Sequence, residues 1–202
     1  MPPRRTAADN ILAMARRSGV IRIGDVVSRG IHPEHVRRLH ARGLLIRSGR
    51  GLYFPADADV TENHTLAEAC KRVPGGVICL LTALRFHELT TQAPWQVWMA
   101  IDHKAREPKV DYPPLRITRY SGEALTEGIE RHTIEGVEVK VYSPAKSVAD
   151  CFKFRNKVGL DVAIEALRDC RRYRKATNDE IWRFAKICRM ANVMRPYLEA
   201  TR

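Results

Sequence analysis

The chain has 202 residues, 45% of them hydrophobic, and a formal net charge of +12. That much apolar material supports one or two packed domains and argues against a disordered chain. No apolar run reaches the roughly 18–20 residues of a membrane span, the opening MPPRRTAADNILAMARRSG does not read as a secretory signal, and five widely spaced cysteines fit reduced thiols in a cytoplasmic protein.

In chain order, Thr6 is placed to cap a helix over Ala7–Arg17, with Asp9 at its third position and Ser18-Gly19 as its end. A short strand at Val20-Ile21 and a brief helix from about Ile23 to Ser28 follow, and Gly30 stops the latter. Pro33 opens a third helix that runs to about Arg42, with Gly43 after it. Its apolar stripe is thin, Val36 and Leu39 only. LLIRSGRGLYF then reads as a hairpin, Leu44–Arg47 and Leu52–Phe54 around Ser48-Gly49-Arg50-Gly51. Three short helices and a hairpin within about 55 residues is the layout of a winged helix-turn-helix.

The remainder reads as a larger α+β domain, a small sheet with helices before and after it. A helix over Asn63–Arg72 comes first, then a Pro74-Gly75-Gly76 break and an apolar helix over Val77–Leu89. WQVWMAI alternates as a strand, with Trp95, Val97 and Met99 on one face and Trp98 on the other. LRITRY and VEVKVY alternate as well. Ser143-Pro144 starts a helix to about Phe154. GLDVAIEALRDCRR and NDEIWRFAKICRMANV are two further amphipathic helices, the second opened by the capping box Thr177-x-x-Glu180. The expected division is 1–56 and 57–202.

Residues 1–60 hold 11 Lys/Arg against 5 Asp/Glu, residues 61–139 hold 9 against 11, and residues 140–202 hold 15 against 7. Basic charge therefore sits at both ends of a near-neutral middle, as surfaces facing a polyanion would require. With Val36 and Leu39 inward, Glu34, Arg37, Arg38 and Ala41 face outward, His35 and Arg42 flank them, and His40 lies near the core side. An Arg there can donate to O6 and N7 of guanine, and Glu34 can accept from a cytosine amino group. Arg47 and Arg50 on the wing would reach a neighbouring backbone or the minor groove. The bland alternative is a solvated basic helix in a protein-binding module.

The residues raise two other chemistries. His32, His35 and His40 lie within one helical stretch, but no Cys or carboxylate nearby completes a four-ligand metal set. Glu138-Val139-Lys140 has the E-x-K shape of some metal-dependent nucleases, with Asp111 in a Pro-rich loop as a poorly placed third acid. No cofactor motif is present. In the last third, Lys146, Lys153, Arg155 and Lys157 crowd together, and Arg171, Arg172, Arg174 and Lys175 form a second basic turn. Each is a solvated surface or a face for nucleic acid or an acidic partner.

SGRGLYFP, ICLLTALRFHELTTQAPWQVWMAI, YSPAKSVADCFKFRNKVGLDVAIEALRDC and ANVMRPYLEA together resemble the AbiEi family, antitoxins of bacterial type IV toxin–antitoxin and abortive-infection systems. The resemblance implies a winged-helix domain that binds operator inverted repeats in double-stranded DNA and represses its own operon. It also implies a larger domain that counteracts a nucleotidyltransferase-like toxin, without any need for direct contact. Carried over by position, the DNA contacts fall on the third helix (Glu34, His35, Arg37, Arg38, Arg42) and on the wing (Arg47, Ser48, Arg50). The antitoxic surface falls on the basic face carrying Lys146, Lys153, Arg155 and Lys157. The third helix opens with HPEH where members often carry Ser or Thr, which implies a weaker cap. The combined expectation is a cytoplasmic, non-enzymatic repressor and antitoxin with no cofactor and no membrane role. A metal-dependent nuclease and a stand-alone regulator without a toxin are the alternatives.

Overall fold

Thr6 begins the first helix, α1 (Ala7–Ser18), through a reciprocal cap. Its hydroxyl oxygen accepts from Asp9 N–H at 3.2 Å and the Asp9 carboxylate accepts from Thr6 N–H at 3.0 Å. Such a cap is worth about 1 kcal/mol. The computed structural model describes residues 6–58 and 61–200, and these form two units.

In the first unit α1 is followed by β1 (Ile21–Arg22), α2 (Ile23–Val27), α3 (Glu34–Ala41), β2 (Leu45–Gly49), β3 (Leu52–Pro55) and α4 (His64–Arg72). The strands form an antiparallel sheet in the order β1-β3-β2, with a bulge between Arg47 and Gly49. One core holds it together: Ile11 and Met14 of α1, Val26 of α2, Val36 and Leu39 of α3, Leu45 and Tyr53 of the sheet. Truncating one such aliphatic side chain to Ala costs about 2–5 kcal/mol. The α3 helix ends because Gly43 takes φ 71°, which lets Leu44 N–H reach Leu39 O at 3.0 Å and Gly43 N–H reach His40 O at 2.9 Å. That paired bonding is the Schellman stop for which glycine is favoured.

The first unit runs through Pro74 and takes in residues 109–113 and 133–139. The expected boundary after residue 56 therefore falls inside it. The reason is visible at Glu135, whose carboxylate accepts from Thr61 N–H and Thr61 Oγ1, each at 2.8 Å, and bonds His64 Nδ1. Burial works against the Glu135 charge, but the bonds from His64 and Thr61 win and hold its pKa below the usual carboxylate range.

The remaining elements are β4 (Val77–Ile78), α5 (Leu80–Phe86), β5 (Val97–Asp102), β6 (Leu115–Tyr120), α6 (Glu123–Thr126), β7 (Ile129–Ile134), β8 (Val137–Tyr142) and five helices: α7 (Pro144–Lys153), α8 (Arg155–Val158), α9 (Leu160–Arg172), α10 (Asn178–Ile187) and α11 (Ala191–Ala200); they belong to the second unit except for the end of β7 and the start of β8, which fall in residues 133–139 of the first. The sheet order is β6-β5-β4-β8-β7, with β4 antiparallel to β5 and parallel to β8, and β5 parallel to β6. The α+β class holds: a winged unit with a small sheet, then a larger mixed sheet with helices.

Four local expectations change. Val77–Leu89 is not one helix: Val77 and Ile78 form a strand, and Ile78 pairs with both Met99 and Val141. A short apolar run buried on every side looks the same in either state. Trp95 lies outside β5 and is 78% exposed, while Val97–Ile101 are buried on both faces and so do not alternate. β7 is an added strand, silent in the pattern because its more covered face carries Glu130 and His132 beside Ile134 and none of its residues is fully buried. The final amphipathic stretch is two helices. Arg189 takes a left-handed φ of 59°, and Met190 N–H bonds Ala185 O at 2.7 Å, the same Schellman stop with Arg in place of Gly.

Candidate nucleic-acid interface

The two buried residues of α3, Val36 and Leu39, fix the rotation of the helix. Everything between them faces out. Arg37 and Arg38 have side chains 72% and 71% exposed. Both lean on Glu34, with Arg37 Nη1 at 3.4 Å and Arg38 Nε at 3.7 Å from its carboxylate. Exposed pairs of this kind are worth well under about 1 kcal/mol. They orient the guanidiniums without holding them, so a stronger acceptor can take them. Glu34 and His35 are half-buried, and Arg42 is exposed just past the helix end.

The start of α3 has a different cap from the usual Ser or Thr. Pro33 makes no side-chain cap bond, and His32 Nδ1 accepts from Glu34 N–H at 3.2 Å. His40 Nδ1 donates to Leu45 O at 2.9 Å, and its ring meets Tyr53 edge-on at 5.8 Å. Two of the three histidines that suggest a metal set, His32 and His40, thus have local backbone roles. Among the described residues no group of three or more His, Cys, Asp or Glu is gathered to hold a metal.

On the wing, Arg47 is exposed and its Nε donates to Gly49 O at 3.2 Å. Arg50 is exposed at the turn. Ser48 is half-buried, with its Oγ shielded and without a hydrogen-bond partner among the described residues. The helix and the wing therefore offer Arg37, Arg38, Arg42, Arg47 and Arg50 to solvent from one folded unit, and the chemistry they can perform is charge-assisted donation to phosphate or to base edges.

The expected antitoxic set does not survive as one surface. Lys146 is fully buried in α7, its Nζ bonded to Asp150 Oδ2 at 2.5 Å and lying 4.1 Å from the Tyr142 ring and 4.8 Å from the Tyr120 ring. It cannot meet a partner. Apolar neighbours on every side of SPAKSVADCF put this lysine in the core, and the i, i+4 aspartate keeps its charge compensated. Asp150 also accepts from Cys188 Sγ at 3.2 Å. Burial raises the Asp150 pKa, and the Lys146 ammonium opposes that shift. Arg155 is half-buried, bonded to Phe152 O at 3.0 Å and in contact with Met190 sulfur. Only Lys153 and Lys157 of the four are exposed, both near the Phe154 ring.

A larger basic site lies elsewhere in the second unit. Arg168, Arg171, Arg172, Arg174 and Lys175 line an open cavity of about 850 Å³ together with the start of α10. Four of these five are visible in sequence as a basic turn; Arg168 joins them from one helical turn earlier. All five cysteines are free and buried. Burial pushes the Cys170 thiol up to about 11 and the Cys188 thiol up to about 12, so neither is a nucleophile at neutral pH.

A family model and a solved structure match this chain. Residues 10–56 match the family model described as "Transcriptional regulator, AbiEi antitoxin". The whole fold resembles the crystal structure of the Rv2827c protein from Mycobacterium tuberculosis, with a TM-score of 0.61 and 13% identity over 99% of this chain and 83% of that one. No curated protein matches in sequence. No helix among the described residues is long and apolar enough to cross a membrane. The segment matched by the AbiEi antitoxin model runs from the first helix to the end of the wing.

Proposed function

We propose that this chain is a cytoplasmic, non-enzymatic repressor of its own operon and the antitoxin against a nucleotidyltransferase-like toxin. Its first unit binds operator inverted repeats in double-stranded DNA. α3 enters the major groove, where Arg37 and Arg38 read guanine edges and Glu34 selects cytosine. Arg42, Arg47 and Arg50 seat the helix and the wing on flanking backbone, while the shielded Ser48 hydroxyl stays out of the contact. The observation that carries this reading is the pair of arginines on α3, more than two-thirds exposed and held only by a surface carboxylate, in a segment that matches the regulator family. The second unit counteracts the toxin by a route that needs no contact with it, through the exposed Lys153 and Lys157.

Two assays test the two halves. Fluorescence anisotropy of the full chain on the duplex upstream of its own gene should give an affinity at least about a thousandfold above that for unrelated duplex at the same salt. Equal affinities on both would remove the repressor role. Growth rescue, with the toxin expressed from a promoter that this protein cannot repress, should fail for Lys153→Glu/Lys157→Glu. Wild-type rescue by that variant would take the antitoxic role off these lysines.

A further inference from the structure

Behind the wing, four basic side chains from four separate stretches of the first unit converge. Arg22 comes from β1, Arg50 from the wing turn, Arg72 from the end of α4 and Lys109 from residues 109–113. They line a cavity of about 290 Å³, at the lower limit for a small-ligand site. The floor is backbone: Gly51 O accepts from Ile23 N–H at 3.0 Å and closes the turn against the start of α2.

Arg72 is built into this place. Its Nη1 donates to Arg50 O at 3.3 Å, and its Nη2 packs against Gly49, where an added Cβ would fall 2.2 Å away. Its Nε is buried and has no hydrogen-bond partner among the described residues. A shielded donor left unpaired costs about 1–3 kcal/mol. Burial lowers the Arg72 pKa; the Arg22 charge adds to that, while Glu68 and Asp111 oppose it. Arg72 thus has one like charge, Arg22, and two acids, Glu68 and Asp111, within electrostatic reach. Among the described residues no ion pair engages Arg22, Arg50 or Lys109. Asp25, the acid on the adjoining α2, is already taken by Lys71 Nζ and Arg22 N–H, each at 3.0 Å. No carboxylate among the described residues lines the cavity.

We propose that Arg22, Arg50, Arg72 and Lys109 form a phosphate-binding pocket distinct from the recognition helix. The ligand chemistry is a phosphoryl group with two or three acceptor oxygens, met by guanidinium forks and one ammonium. It can come from a free small phosphate or from a DNA backbone phosphate beside the wing. Two of the four residues, Arg72 and Lys109, lie outside the family-matched segment, so the pocket does not follow from that match.

The test uses the full chain, with inorganic pyrophosphate as the small probe and the upstream duplex as the DNA probe. Lys109→Gln and Arg22→Gln remove charge from the pocket; Lys104→Gln is the exposed control. Calorimetric titration at low ionic strength should show saturable one-to-one pyrophosphate binding, weakened tenfold or more by each pocket variant and unchanged by the control. That result assigns a free phosphate. If pyrophosphate does not bind, but each pocket variant lowers the slope of log K against log salt for DNA by about 1, the pocket seats a backbone phosphate. If pyrophosphate binding is absent or insensitive and the DNA slope is unchanged, the proposal is overturned. Arg37→Ala/Arg38→Ala, run alongside, separates that failure from a failure of the DNA-binding reading.

Discussion

α3 and α7 both carry basic residues beside an acid one turn away, and they use that arrangement oppositely. On α3, Glu34 sits across from Arg37 and Arg38 in open solvent, at 3.4 and 3.7 Å, and only Val36 and Leu39 are buried. On α7, Lys146 and Asp150 are both fully buried, at 2.5 Å, among Tyr120, Tyr142 and Cys188. The difference lies in the neighbours. Two buried residues in eight anchor α3 by a narrow stripe and leave its charge to solvent; nearly continuous apolar and small residues sink α7 into the core, charge included. An exposed pair can be exchanged for a ligand at little cost, whereas a buried pair that loses one partner leaves an uncompensated ion in a low dielectric.

The largest expected effect breaks the buried pair. Lys146→Ala should destabilise the chain by about 3–5 kcal/mol, measured by chemical denaturation. Replacing both partners with apolar residues, Lys146→Met/Asp150→Leu, should recover most of that loss. Equal loss in single and double variants would mean that the pair is held for something other than charge compensation.

An intermediate case sharpens the comparison. Glu135 is shielded but not sunk in the core, and it bonds His64 and Thr61. Glu135→Gln should cost roughly 1–2 kcal/mol at pH 7 by weakening charge-assisted bonds. The sign with pH follows from the lowered pKa of this group. Its stabilisation is fully present above the ordinary glutamate value of 4.5 and is lost as pH falls through the lower folded value. The gap between wild type and variant should therefore close in acid; a gap that stays constant to pH 2 would take the charge out of the explanation.

The smallest stability effect belongs to the exposed wing. Arg47→Ala/Arg50→Ala should leave the denaturation midpoint within about 0.5 kcal/mol of wild type. It should weaken DNA binding about equally on all sequences and lower the salt slope by about 1 for each phosphate no longer neutralised. Sequence-dependent weakening would instead place these arginines on base edges.

Much of the winged unit is legible because its signals are local. The Thr6–Asp9 box, the Gly43 stop, the two-residue core of α3 and the glycine-bearing wing turn each follow from a few neighbouring residues. The second unit is less legible wherever burial is uniform. Ile78 reads as helix or strand alike, and β7 shows no apolar alternation because its more covered face carries Glu130 and His132 beside Ile134. Lys146 reads as a surface residue because charge is a poor guide when the partner that compensates it lies four residues on and the rest of the helix is apolar. The pocket of Arg22, Arg50, Arg72 and Lys109 has no signal at all, since its members are up to 87 positions apart and meet only through the fold.

The central claim is that charge on α3 serves recognition and not stability. Its most direct test measures one variant, Arg37→Ala/Arg38→Ala, in two ways. Denaturation should give the wild-type midpoint. Titration against the upstream duplex and against base-substituted versions of it should show affinity lowered tenfold or more with weaker base preference, since a bidentate arginine–guanine contact carries about 1–3 kcal/mol of discrimination. Wild-type affinity and preference on every sequence would contradict the account.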